Sequence, residues 1–172
     1  MQWGFDANED SAMNAHEYGS ELAAVLLPER LMELGPGTPN EPMRAKIAAL
    51  KLPPACMAGV WLYHDFLDES HTISQELDDA TGSYWHAIMH RREPDAENSK
   101  YWFRKVGQHP VLKLLTEKAS ELGYEYTGPF DFVDFCEHVR GVDTSEEEIA
   151  RRMQLLEWEL FFDHCHQSSQ GE

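Results

Sequence analysis

A chain of 172 residues with a formal charge of −17 repels nucleic acid and anionic membranes, since both demand a dense cationic surface that displaces counterions. Apolar residues make up 42 % and aromatic residues 11 %, enough for a real core and against disorder as the default state. The length fits one domain, 1–172, and no apolar run approaches the ~20 residues that span a bilayer.

Residues 1–12 are polar and acidic and read as a flexible lead-in rather than a signal peptide. From Asn14 to about Leu34, Leu22, Val25, Leu26 and Leu31 recur at helical spacing, with Pro28 as a break or kink. Gly35-Pro36-Gly37-Thr38-Pro39 is a turn or linker. Glu41-Pro42 opens a short helix to about Leu50, and Pro53-Pro54 opens a longer one to about Ser70. Residues 71–81 carry no decisive pattern, and Thr81-Gly82-Ser83 is read as a break. A helix from about Tyr84 stops near Arg92, because the residue before Pro94 disfavours helical geometry.

Pro94 begins the next helix, with Asp95 and Glu97 in its first turn, Lys105 in its last and Gly107 after it. Pro110–Leu122 is amphipathic and ends at Gly123, and Pro129–Arg140 is short and rich in aromatics. Thr144-Ser145-Glu146-Glu147 has the form of a capping box, and the helix it starts runs to about Cys165, with Ile149, Met153, Leu156 and Leu160 on one stripe. Residues 167–172 read as a flexible tail. No stretch alternates like a strand. The expectation is an irregular all-α domain of seven to nine helices. Cys56, Cys136 and Cys165 are widely spaced and odd in number, which fits reduced thiols in a cytoplasmic protein better than a disulfide framework.

Two segments concentrate the chemistry. His64, Asp68 and His71 stand at i, i+4, i+7, and His86, His90 and Glu93 repeat the spacing. On an uninterrupted helix each triplet falls within ~60° and shares one face. Facing helices that offer histidines and carboxylates are how helical bundles build metal sites, and this donor set suits Zn, Mn or non-haem Fe. His-Ala-Ile-Met-His lacks the glutamate of the HExxH zinc-protease motif. A histidine on an apolar face also serves as a hydrogen-bonded core residue, which is the alternative for each of the four.

A knot of base stands out against the acidic background. Arg91, Arg92, Lys100 and Arg104 flank the break at Glu93-Pro94, where guanidinium forks and helix-start N–H groups suit a phosphate or carboxylate. The competing reading has these cations neutralising Asp65, Asp68, Glu69, Glu93 and Asp95 in a structural network. Trp61, Trp85 and Trp102 are the aromatics placed to line a pocket. There is no GxSxG elbow, Gly-rich phosphate loop or dinucleotide fingerprint.

His64–Gln75 (HDFLDESHTISQ) and Gly82–Pro110 (GSYWHAIMHRREPDAENSKYWFRKVGQHP) resemble a family of uncharacterised hypothetical proteins that share the motifs HDxLDxSHxIxQ and WHAIMHRREPDxxNSKYWFRxVGxHP. The resemblance implies that the two segments belong together, and it carries no activity, cofactor or catalytic assignment. The residues themselves point to a pocket between two helices. It would bind a divalent metal, a small anionic molecule, or both, in a metal-dependent hydrolase or an oxygen-using enzyme. The alternative is a non-catalytic helical interaction module whose polar stripes are buried networks. Neither nucleic acid nor membrane is an expected partner, and the oligomeric state, a homodimer included, stays open.

Overall fold

The computed structural model describes residues 14–171. Among them the chain is all-α, with no strand. The α-helices are α1 (Ser20–Leu26), α2 (Arg44–Ala48), α3 (Pro54–Tyr63), α4 (Leu67–Ser74), α5 (Ala80–Arg92), α6 (Ala96–Val106), α7 (Pro110–Lys118), α8 (Pro129–Val139) and α9 (Ser145–Gln170). Three 3₁₀ turns, Ala15–Tyr18, Glu41–Met43 and Ala119–Leu122, complete the list. Prolines open α3, α7 and α8 at positions where a missing N–H costs nothing. No described helix is long and apolar enough to cross a membrane. The lead-in 1–12 lies outside the described residues.

The core gathers around α9. Trp158 and Phe162 stack on one another at 4.9 Å, and the Trp158 indole donates to the Gly59 carbonyl of α3 at 2.8 Å. Trp85 of α5 covers the same glycine, whose added Cβ would lie 2.6 Å from the Trp85 ring. Trp85 is fully buried and has nowhere to retreat. Gly59→Ala is therefore expected to destabilise the protein by about 1–3 kcal/mol through overpacking, measured as a lower urea midpoint with an unchanged slope. An unchanged midpoint would mean that the contact relaxes freely.

Four boundaries differ from the sequence reading. The helical pattern expected across 14–34 stops at Leu26, and the chain then runs to Asn40 without regular secondary structure. The carbonyls of that stretch are taken by side chains from distant helices: Arg151 donates to Leu31 and Met32, Gln154 to Glu33, Arg140 to Leu34 and Arg92 to Gly35. A backbone whose polar groups are satisfied in this way has no need of a helix. Thr81-Gly82-Ser83 is no break but part of the start of α5. Asp79 caps that helix by accepting from the Gly82 N–H at 2.7 Å, and a Cβ on Gly82 would meet the Leu77 carbonyl oxygen at 2.3 Å.

The last helix, expected to end near Cys165, continues to Gln170. Pro54–Ser70, expected as one helix, divides after Tyr63. Asp65 there adopts a left-handed φ of 65°, which turns its carboxylate toward Arg30 and Arg92. At the start of α9, Thr144 accepts from the Glu147 N–H at 3.3 Å. The Glu147 carboxylate instead accepts from Gly141 and Asp143, and these backbone donors lower its pKa.

His109 caps α7, with its Nδ1 accepting from the Val111 N–H at 3.2 Å. Burial, with the His164 charge beside it, pushes its pKa from 6.5 down to about 4. The unfolded chain then binds the proton more tightly than the folded one. The associated stability is complete above pH 6.5 and drains away as pH falls toward about 4. His109→Asn keeps a capping acceptor and removes the titration. Its melting temperature is expected to fall less steeply than the wild type's across that window, and a parallel decline would contradict the assignment.

Candidate metal site

Two buried serines set the frame. The Ser70 hydroxyl donates to the Ala58 carbonyl at 2.9 Å and ties α4 to α3; the Ser99 hydroxyl donates to the Ala87 carbonyl at 2.7 Å and ties α6 to α5. The first fixes the turn that carries His71, and the second fixes the helix that faces His86 and His90. One turn apart on α5, His86 and His90 stack at 4.7 Å. The His71 ring stands across from them, 4.7 Å from His86 and 5.5 Å from His90. One ligand nitrogen from each of the three lies within 4.8 Å of the others.

His86 is 4 % exposed, and its Nδ1 is buried without a hydrogen-bond partner. Burial, reinforced by His90 and His71, pushes its pKa down to about 4, so the ring is neutral at pH 7 with a lone pair to offer. His90 Nδ1 donates to the Glu93 carboxylate at 2.6 Å. That bond turns Nε2 into the acceptor, as a carboxylate behind a ligating histidine does. The Asn98 amide nitrogen sits 3.3 Å from that Nε2, a long contact from a half-buried side chain that a metal would displace. Trp102 of α6 stacks on His86 with ring centroids 3.9 Å apart and closes one side. His71, Asn98 and Trp102 are half-buried, so the cluster lies at the rim of the core and opens to solvent.

The group fits a metal ion. Nitrogens within 4.8 Å of one another surround a centre at most about 2.8 Å from each, and Zn–N bonds of ~2.0–2.1 Å need each ring to close in by no more than about 0.7 Å. Glu93 and Asp95 form a second grouping around His90. Glu93 already holds His90, however, and Asp95 caps α6 by accepting from the Asn98 N–H at 3.1 Å.

Of the six residues singled out as ligands, the structure brings together His71, His86 and His90, with Glu93 behind His90. It does not bring in His64 or Asp68. His64 Nε2 donates to the Val25 carbonyl at 2.8 Å, and its Nδ1 faces Asn40 at 3.0 Å and Arg30 at 3.2 Å. Both nitrogens are committed, which corrects the ligand assignment. Burial lowers its pKa, with the Val25 carbonyl opposing. Asp68 is exposed on α4 and stands outside the cluster.

Two of the four cations expected to hold an anion, Arg91 and Arg92, are corrected. Arg91 is fully buried and donates to Glu157 at 2.6 Å, with Phe132 against its guanidinium. Arg92 is fully buried and donates to Asp65 at 2.5 Å, to the Leu62 carbonyl at 2.9 Å and to the Gly35 carbonyl at 3.1 Å. Neither is open to a ligand. Lys100 pairs with Asp134 at 2.6 Å, and Arg104 lies over Phe130. Trp61 and Trp85 are core residues. Asn98 was not singled out, although Asn98 and Trp102 repeat the i, i+4 spacing that marked the histidines.

An open depression of about 480 Å³ lies elsewhere, lined by Gly107, His109, Lys113, Tyr126 and Gly128 among others. It carries none of this chemistry. Comparison with protein-family models, curated proteins and solved structures finds no match for the chain.

Proposed function

We propose that the protein binds one divalent metal ion through His71, His86 and His90 and uses it for metal-assisted hydrolysis. The carrying observation is the convergence of three imidazole nitrogens within 4.8 Å, one of them on a ring whose Nδ1 is buried and unpartnered. Leaving a buried polar atom unmatched costs about 1–3 kcal/mol. A cation among these rings would offset such a cost. Three imidazoles without a carboxylate ligand suit Zn better than Mn, which prefers oxygen donors, or the non-haem Fe of oxygen-using sites, which takes two histidines and a carboxylate. The one nearby carboxylate, Glu93, is occupied in orienting His90.

Three protein ligands leave a fourth position for water or substrate. A metal there lowers the pKa of bound water to near neutrality and polarises a carbonyl or phosphoryl oxygen. The opening toward solvent past His71, Asn98 and Trp102 supplies the approach.

Elemental analysis of untagged protein, purified without chelator and after incubation with Zn, Mn or Fe, tests the reading. Near-stoichiometric metal is expected, with Zn held preferentially. His86→Ala/His90→Ala is expected to lose the metal and keep its helical circular dichroism. Protein that takes up none of the three ions would instead be a helical interaction module with a stacked histidine cluster.

A further inference from the structure

We infer that Asn98 is a catalytic residue of the metal site, its side-chain amide donating to the oxygen that fills the metal's fourth position. The inference rests on the metal reading above and adds to it the group that holds the nucleophile. Among the described residues, Glu93 and Asn98 are the side chains with a polar contact to the three rings. The Asn98 amide nitrogen lies 3.3 Å from His90 Nε2 and 3.5 Å from its Nδ1. Nδ1 donates to Glu93 and has no lone pair left to accept with, so the lone pair that the amide meets is the one on Nε2. That is the lone pair a metal takes.

The fold holds this amide in place. Helix α6 packs along α5, the Asn98 N–H donates to the Asp95 carboxylate at 3.1 Å, and the hydroxyl of the next residue, Ser99, donates to the Ala87 carbonyl at 2.7 Å. Among the described residues His90 is the one partner of the side-chain amide, so a metal on Nε2 leaves both amide donors free. Ligands of a tetrahedral ion with bonds of ~2.0–2.1 Å stand roughly 3.3 Å apart. An amide at that distance from Nε2, on the lone pair the metal takes, borders the coordination shell, whose remaining ligand is an oxygen. The atom turned to the rings is nitrogen, which has protons to donate and no lone pair for an ion, so it serves the bound oxygen rather than the metal. A donor there favours the charged, nucleophilic form of that oxygen and fixes the direction from which it attacks.

The test uses the full chain loaded with Co(II), whose visible spectrum reports its ligands, and sodium azide as a probe that occupies the fourth position. Azide is titrated at one fixed pH into wild type, Asn98→Leu and Asn98→Ala, with cobalt content and circular dichroism measured on every sample. Leucine keeps the shape of asparagine without a donor, and alanine empties the space. Azide is expected to change the wild-type spectrum saturably. Both variants should bind it about tenfold more weakly, as loss of a hydrogen bond to a charged group does, at unchanged cobalt content. Weakening in the leucine variant alone would mean that shape, not the donor, matters. Cobalt lost with the amide, or azide bound more tightly by Asn98→Ala, would make Asn98 a ligand in its own right. Each of these results, like equal affinity in all three proteins or no azide binding by cobalt-loaded wild type, overturns the assignment of Asn98 and leaves the metal site standing. Wild type that holds no cobalt overturns both.

Discussion

Replacing Glu157 by alanine is expected to cost about 3–5 kcal/mol of stability, the penalty for stranding a buried charge. Arg91 is fully buried, Glu157 is 1 % exposed, and the two meet at 2.6 Å. Glu157 also accepts from the Tyr84 hydroxyl at 3.3 Å, so one deletion leaves a guanidinium and a phenol without their acceptor. The Arg91 Nε already lacks a partner. What remains is Gln154, whose Oε1 lies 3.3 Å from Nη2, and the face of Phe132 at 4.7 Å, and neither neutralises a full charge. Typical domains hold 5–15 kcal/mol in total, so the variant should be unfolded at modest urea. Arg91→Met/Glu157→Leu removes both charges together and should recover most of the loss. Urea titrations followed by tryptophan fluorescence separate the cases. A double variant as weak as the single would show that shape, not charge, is what the pair supplies.

Asp65→Asn is expected to cost about 3 kcal/mol for the same class of reason, with the backbone held constant. Asp65 is 5 % exposed and sits at φ 65°, a conformation that asparagine also tolerates, so the substitution removes a charge without straining the turn. The orphaned partner is Arg92, which keeps its bonds to the carbonyls of Leu62 and Gly35 and loses its counter-charge. Burial already lowers the Arg92 pKa, and Asp65 is what opposes that shift. Arg30, half-exposed, loses its ion pair with smaller consequence. Because Arg92 and Arg30 anchor the extended segment to the α3–α4 corner, hydrogen exchange should also accelerate across residues 31–40. Unchanged midpoint and unchanged exchange would contradict this account of the corner.

These two pairs explain what was and was not legible in the sequence. Prolines and glycines marked most helix starts and stops, because their backbone constraints act locally. The His86/His90 pair was legible because both residues sit one turn apart inside a single helix. His64 and Asp68 were misplaced because their shared face required α3 to continue through Asp65. The left-handed turn there is stabilised by Arg92, 27 residues onward, which no local pattern reveals. The basic knot failed similarly: the partner of Arg91 lies 66 residues away on α9. Residues 27–34 look helical in pattern but spend their carbonyls on Arg140, Arg151 and Gln154.

The most direct measurement is zinc-edge X-ray absorption on the Zn-loaded full chain. The account predicts three imidazole nitrogens at ~2.0–2.1 Å with one further light ligand, four-coordinate in all. His71→Ala should retain at most two of those imidazoles. A six-coordinate oxygen shell, a sulfur ligand, or an imidazole count indifferent to His71 would contradict it.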